Sequence, residues 1–231
     1  MNIHGLNKST LLDYPRHLAA TIFVGGCNMR CPFCHNASLV LRPHTQPIIS
    51  TDEVMAYLVK RKNLLDGVCI TGGEPTLYPE LPLFINKIKD LGLKVKLDTN
   101  GTNPTMMRYL TDNKLIDYVA MDIKNSREKY KHTAGNKDIS MDKINESVSL
   151  LLSDIVEYEF RTTIVSELHT EIDIEAIGSW IKGANAYYLQ AYEDSGDVIS
   201  PGFTGPSKET LMQYKKLLSI YVEHVDIRGL D

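Results

Sequence analysis

Residues 18–36, LAATIFVGGCNMRCPFCHN, run from an apolar stretch rich in β-branched and aromatic residues through Gly25-Gly26 into cysteines at 27, 31 and 34. Seven such residues predict a buried strand, and the glycine pair ends it. The thiols then sit on a loop at the C-terminal end of a strand, where barrel enzymes build their sites. Thiolates are soft ligands suited to iron-sulfur clusters, and a cuboidal 4Fe-4S cluster usually takes four of them. Three leave one iron open, much as a catalytic zinc site keeps a position that a structural one closes. The alternative is a zinc knuckle completed by His35 or His44. It lacks the distant second cysteine pair such sites use, and His35 is awkwardly adjacent to Cys34.

Outward from this loop, apolar β-branched runs alternate with segments of helical period, the pattern of βα units around a parallel sheet. Strands are predicted over 18–24, 67–71, 93–98, 117–123, 155–165, 185–191 and 221–227. Ser50 with Glu53 three residues on predicts a capping box ahead of Val54, Leu58 and Val59. Asn103-Pro104 supplies an N-cap and a proline at the first helical position, opening a helix to about Leu110. Further helices are predicted over 80–91, 141–152, 171–182 and 207–219, and loops over 36–50 and 124–140. Six βα units and a last strand are too few for a complete eightfold barrel of about 250 residues. The expected class is α/β, an incomplete (β/α)6 TIM-like barrel formed by one domain over residues 1–231.

The chain has 231 residues, 25 Lys and Arg against 29 Asp and Glu, and a net charge of -4. That balance offers no basic footprint for phosphates, so nucleic acid is not an expected partner. No apolar stretch approaches the roughly 18 residues of a membrane span, and MNIHGLNKSTLLDYPRH lacks the pattern of a secretory signal. No membrane association and a cytoplasmic location are expected, and there cysteines serve metals or catalysis rather than disulfides. Cys69, the fourth cysteine, lies within an apolar strand and reads as a small buried hydrophobe.

The segment GGCNMRCPFCHN, with its C-x3-C-x2-C spacing, resembles the cluster loop of the radical S-adenosylmethionine (SAM) superfamily. The turn Thr71-Gly72-Gly73-Glu74-Pro75 resembles the superfamily's second motif, which holds the amino group of SAM's methionine moiety. Glycines let backbone approach a ligand, and a carboxylate suits an ammonium partner; an ordinary tight turn is the alternative. Leu97-Asp98-Thr99-Asn100-Gly101, Met121-Asp122-Ile123-Lys124 and His35-Asn36 resemble motifs of glycyl radical enzyme activating proteins. The resemblance implies that Asp98, Thr99 and Asp122 place a monovalent cation, Na+ or K+, beside SAM's carboxylate and that Lys124 contacts SAM. Hard oxygen ligands suit such a cation; strand-end salt bridges are the alternative. Arg161 resembles a family arginine near SAM, or else serves structure. Gln190 lies near where some relatives carry a ribose-contacting histidine. Phe33 packs beside the cluster or adenine, or in the core.

Ser9-Thr10-Leu11-Leu12-Asp13-Tyr14-Pro15 is most similar to the opening of anaerobic ribonucleoside-triphosphate reductase activating proteins, and the likeness runs to Val225-Asp226-Ile227-Arg228-Gly229. It implies a 4Fe-4S cluster, SAM as cofactor, and an electron donor of the flavodoxin or ferredoxin type. The SAM-derived radical would take a hydrogen atom from a glycine of a partner enzyme, that reductase being the expected one. One spare cysteine cannot build a second cubane, which argues against relatives with auxiliary clusters. A compact enzyme acting on a small molecule, such as 7-carboxy-7-deazaguanine synthase, is the alternative. A non-catalytic iron-sulfur carrier leaves the Gly-Gly-Glu-Pro and aspartate motifs unexplained.

Overall fold

The computed structural model of the chain describes residues 1–229. Its sheet has eight strands in sequential order: β1 (Ile3–Thr10), β2 (Ala19–Val24), β3 (Gly67–Gly72), β4 (Lys94–Thr99), β5 (Tyr118–Asp122), β6 (Glu157–Ile164), β7 (Ala186–Ala191) and β8 (His224–Arg228). From β2 to β8 every pairing is parallel. β1 and β8 are the outermost strands and do not pair with each other, so the barrel is open, as expected from six βα units.

All seven strands read from the sequence form. β8 starts three residues later than expected because Tyr221 and Val222 still donate their N–H groups to the Leu218 carbonyl, closing the preceding helix. The eighth strand, β1, was not predicted. Its sequence IHGLNKST is mostly polar, and it pairs antiparallel with β2 through two register breaks, between Ile3 and Gly5 and between Asn7 and Thr10.

Six crossover helices cover the outer face: α2 (Thr51–Arg61), α3 (Leu81–Lys89), α4 (Pro104–Asp112), α6 (Met141–Leu152), α7 (Glu171–Trp180) and α8 (Lys208–Leu218). Two short helices, α1 (Ala37–Leu41) and α5 (Tyr130–Thr133), and a 3-10 turn over Pro43–Thr45 occupy stretches expected to be loops. α4 opens as read, with the Asn103 side chain accepting the Met106 N–H. At α2 only half of the expected capping box forms, Ser50 Oγ accepting from Glu53 N; both halves are made at Thr170 and Asp173, ahead of α7.

Strand alternation turns Val95 and Leu97 toward the helices and Lys96 and Asp98 toward the barrel interior. The apolar core therefore lies between sheet and helices, with Val54, Leu58, Phe84, Ile85, Met107 and Leu110 among its members. The interior of the sheet is left to polar groups. No helix among the described residues is long and apolar enough to cross a membrane.

Candidate active site

A cavity of about 410 Å3 opens at the C-terminal ends of the parallel strands. Cys27, Cys31 and Cys34 all line it, on the loop that leaves β2. Cys69 does not; it is fully buried on β3, with Lys96 Nζ 3.8 Å from its sulfur. The cysteine loop is held by backbone bonds from Gly26 N to Leu39 O at 2.9 Å, Arg30 N to Ala134 O at 2.9 Å and Cys34 N to Cys31 O at 3.0 Å. Burial pushes the thiols up, Cys27 to about 11 and Cys31 to about 12, with Cys34 also raised; the Lys124 ammonium works in the opposite direction on all three. Loading a metal here therefore releases protons.

The β3 exit locks onto this loop. Gly73 N donates to Val24 O at 2.7 Å and Glu74 N to Gly26 O at 2.8 Å, while Asn36 Nδ2 donates to Gly72 O at 3.0 Å. A Cβ at Gly73 would collide with the Gly26 carbonyl, and Gly72 has φ +113. These glycines let backbone approach backbone, and both also line the cavity. Glu74 follows in the chain. Its carboxylate is fully buried, turned away from the cavity, and accepts from Thr76 N at 3.0 Å, Thr76 Oγ1, Thr99 Oγ1 at 2.8 Å and Asn100 N at 2.6 Å. It clamps the β3 exit to the β4 exit, three of the donors going to Oε1 and one to Oε2. Pro75 is buried at the start of a 3-10 turn and likewise does not line the cavity.

Asp98, Asp122, Lys124, Arg161 and Gln190 meet on the cavity wall. The Arg161 guanidinium spans the two aspartates, Nη1 to Asp98 Oδ2 at 3.1 Å and Nε to Asp122 Oδ1 at 3.0 Å. Lys124 Nζ lies 3.0 Å from Asp122 Oδ2, and Lys96 pairs with Asp98 Oδ1. Burial raises the Asp98 carboxyl, but Arg161 and Lys96 outweigh it and hold the group at about 2; at Asp122 burial is likewise outweighed, by Arg161 and Lys124. Thr99 reaches the cavity, and its hydroxyl donates to Glu74 at 2.8 Å and accepts from Gly101 N at 3.2 Å. The Gln190 amide makes no side-chain hydrogen bond among the described residues.

Phe33 and His35 bracket Cys34 and pack on Tyr192, Phe33 edge-on at 6.5 Å and His35 stacked at 5.4 Å. The Tyr192 hydroxyl is buried without a partner. His44 lies outside the cavity, and among the described residues no three His, Cys, Asp or Glu side chains converge on a single metal ion. His35, by contrast, lines the cavity with the three thiols. Three thiols spread around one cavity, with the fourth cysteine elsewhere, suit a polynuclear cluster with one open iron.

The model of the radical SAM superfamily matches residues 21–153. The chain belongs to the radical SAM superfamily. A Methanocaldococcus jannaschii protein provisionally named a glycyl-radical enzyme activating enzyme is 34% identical, covering 99% of this chain and 96% of its own. A pyruvate formate-lyase-activating enzyme of Clostridium pasteurianum is 31% identical over 53% of this chain and 52% of its own. A 7-carboxy-7-deazaguanine synthase of Halobacterium salinarum is 33% identical over 36% of this chain and 32% of its own. Streptococcus suis SuiB bound to S-adenosylmethionine superposes with a TM-score of 0.69 at 14% identity, covering 90% of this chain and 52% of that one, a likeness of fold. This radical SAM enzyme is thus of the glycyl-radical activating kind, and SAM is its cofactor together with the 4Fe-4S cluster of the superfamily.

Several residues of this radical SAM site escaped the sequence reading. Lys96 could have been found, because it stands two residues before Asp98 on one strand and so shares its face. Asn100, whose Nδ2 lies 3.7 Å from Cys27 Sγ, sits inside a quoted motif. His169 offers no such signal. It is buried and holds the Lys124 carbonyl at 2.9 Å from a loop 45 residues away.

Proposed function

We propose that this radical SAM protein generates a glycyl radical on a partner enzyme, with anaerobic ribonucleoside-triphosphate reductase as that partner. What carries the reading is the convergence in one cavity of three cluster thiols with Asp98, Asp122, Lys124 and Arg161. Similarity along nearly the whole chain to a protein named as an activase supports the class. The opening STLLDYP supports the particular partner. The residues form one continuous sheet, consistent with a single acting domain, and free cysteines suit a reducing cytoplasm.

When bound, the cluster and SAM supply one-electron reductive chemistry and hydrogen-atom abstraction. The chain's own residues position and shield. Cys27, Cys31 and Cys34 hold the cluster. Lys124 and Arg161 offer cations to a carboxylate, and the backbone rim of Thr71–Gly73 faces the same space. Gln190 displays a donor and an acceptor where a ribose or a peptide amide would pass. Each oxygen of Asp98 and Asp122 has one partner and keeps a second lone pair. A monovalent cation, Na+ or K+, would fit at those lone pairs with SAM's carboxylate as the third anion beside Asp98 and Asp122. A flavodoxin- or ferredoxin-type protein delivers the electron.

The test mixes reduced enzyme, SAM and the reductase without oxygen and records electron paramagnetic resonance spectra and 5′-deoxyadenosine. A glycyl doublet that grows with 5′-deoxyadenosine is expected. If another glycyl radical enzyme is activated instead, the named partner is wrong. If no protein acquires a radical while a deazaguanine precursor is turned over, the small-molecule reading replaces this one; the partial likeness to the Halobacterium salinarum synthase is the observation that favours it.

A further inference from the structure

The segment from Lys124 to Lys137, KNSREKYKHTAGNK, carries five Lys or Arg and one acid, Glu128, in a chain whose net charge is -4. Three of the five cations are spoken for. Lys124 pairs with Asp122, Lys129 with Asp173 at 2.7 Å, and Arg127 lies over the Trp180 ring at 5.2 Å. Lys131 and Lys137 remain exposed, with no carboxylate partner among the described residues. Their backbones approach one another, since Asn136 N donates to Lys131 O at 3.2 Å, and the exposed Asp138 follows Lys137.

This basic segment rests on the cysteine loop. Arg30 N donates to Ala134 O at 2.9 Å, and Asn136 Nδ2 donates to Asn28 O at 2.7 Å. Gly135, at φ +63, comes so near the Arg30 carbonyl that a Cβ there would collide with it. Arg30 is itself exposed and precedes Cys31 in the chain, one nitrogen of its guanidinium donating to the Cys27 and Met29 carbonyls while the charge has no carboxylate partner among the described residues. None of Arg30, Lys131 and Lys137 lines the cavity. A molecule seated on this face lies outside the cavity yet one residue from Cys31.

We propose that the face formed by Arg30, Lys131 and Lys137 docks an acidic one-electron carrier protein that reduces the cluster through the loop holding Cys31. The inference rests on the activase reading for its need of a reductant. The step balances simply: the carrier loses one electron and the cluster gains it, with no bond made and no proton moved. Unpaired cations beside the loop, on a protein that is acidic overall, select a partner of opposite charge and speed its encounter.

The test uses holoenzyme and a reduced bacterial flavodoxin as probe, with dithionite as a reductant that needs no docking. Cluster reduction by flavodoxin should be fast at low salt and slow as ionic strength rises from about 0.02 to about 0.3 M. The double variant Lys131→Glu/Lys137→Glu should lose about tenfold or more of that rate and most of its salt dependence, and bind oxidised flavodoxin correspondingly weakly in a titration. Its reduction by dithionite, and SAM cleavage afterwards, should match the parent. Lys131→Arg/Lys137→Arg should behave as the parent. An unchanged flavodoxin rate in the charge-reversed variant overturns the proposal. So does an unchanged rate accompanied by loss of radical transfer to the reductase, which would assign the face to the glycyl radical partner. If dithionite-reduced parent enzyme fails to cleave SAM, the activase reading falls, while the flavodoxin titration still reports on the docking face.

Discussion

At the scale of single residues, the three cavity thiols and the buried Cys69 have opposite roles although all four are raised by burial. Only the first three can share a cluster, so anaerobic reconstitution of Cys27→Ala, Cys31→Ala and Cys34→Ala should each lose the 4Fe-4S absorbance, while Cys69→Ala keeps it. Retention in Cys31→Ala would sink the assignment. Glu74 makes a sharper case. Its carboxylate takes four donors, and an amide in its place would turn an NH2 group toward hydrogen-bond donors. Glu74→Gln should therefore destabilise the cluster-free protein by about 1–3 kcal/mol in thermal unfolding. A carboxylate that served SAM's ammonium would instead weaken SAM binding at unchanged stability. Cysteine spacing was legible in the sequence because it is local. The true partners of Glu74 were not, because Thr99 and Asn100 arrive from the next strand only when the barrel forms.

Whole elements show the same division between local and distant causes. The seven parallel strands announce themselves through apolar β-branched runs, and α2 and α4 through Ser50 and Asn103-Pro104. β1 does not, since an edge strand paired through two irregularities needs no continuous alternation. α5 was hidden for another reason: a single helical turn between Lys129 and Ala134 is stabilised by its packing under the cysteine loop, not by its own sequence. That packing is testable at Gly135. Gly135→Ala adds a Cβ both at positive φ and against the Arg30 carbonyl, so it should displace the cysteine loop and lower cluster content as well as stability. Gly92→Ala, also at positive φ but with open space around its Cβ, should lower stability by about 1–2 kcal/mol and leave cluster loading intact. Equal loss of cluster in both would show that Gly135 acts only through backbone strain.

Across the molecule, the barrel interior replaces an apolar core with charges that tie β4, β5 and β6 together through Asp98, Asp122 and Arg161. This network contributes to how the fold responds to acid. Asp98 is held at about 2 and Asp122 below its ordinary value, because nearby cations outweigh burial. Both carboxyls bind protons more weakly folded than unfolded, so the stability they supply is complete above about pH 4 and is lost as pH falls toward 2. Glu74 has the opposite sign. Burial raises it more than its hydrogen bonds lower it, so its ionisation opposes folding as pH rises through and above about 4.5. The Cys27 and Cys31 thiols, at about 11 and about 12, stay protonated throughout this range and contribute nothing. Cluster-free protein should therefore change little in unfolding free energy between pH 5 and about pH 4, and fall steeply below that. Asp98→Asn should be less stable at neutral pH, since Lys96 and Arg161 lose a counter-charge, yet have an acid limb shallower by up to about 1.4 kcal/mol per pH unit. Urea titrations monitored by circular dichroism at each pH read both effects. Parallel acid limbs in parent and variant would mean that Asp98 takes up its proton equally in the folded and unfolded chains, and that the interior ion pairs do not govern the acid stability of the barrel.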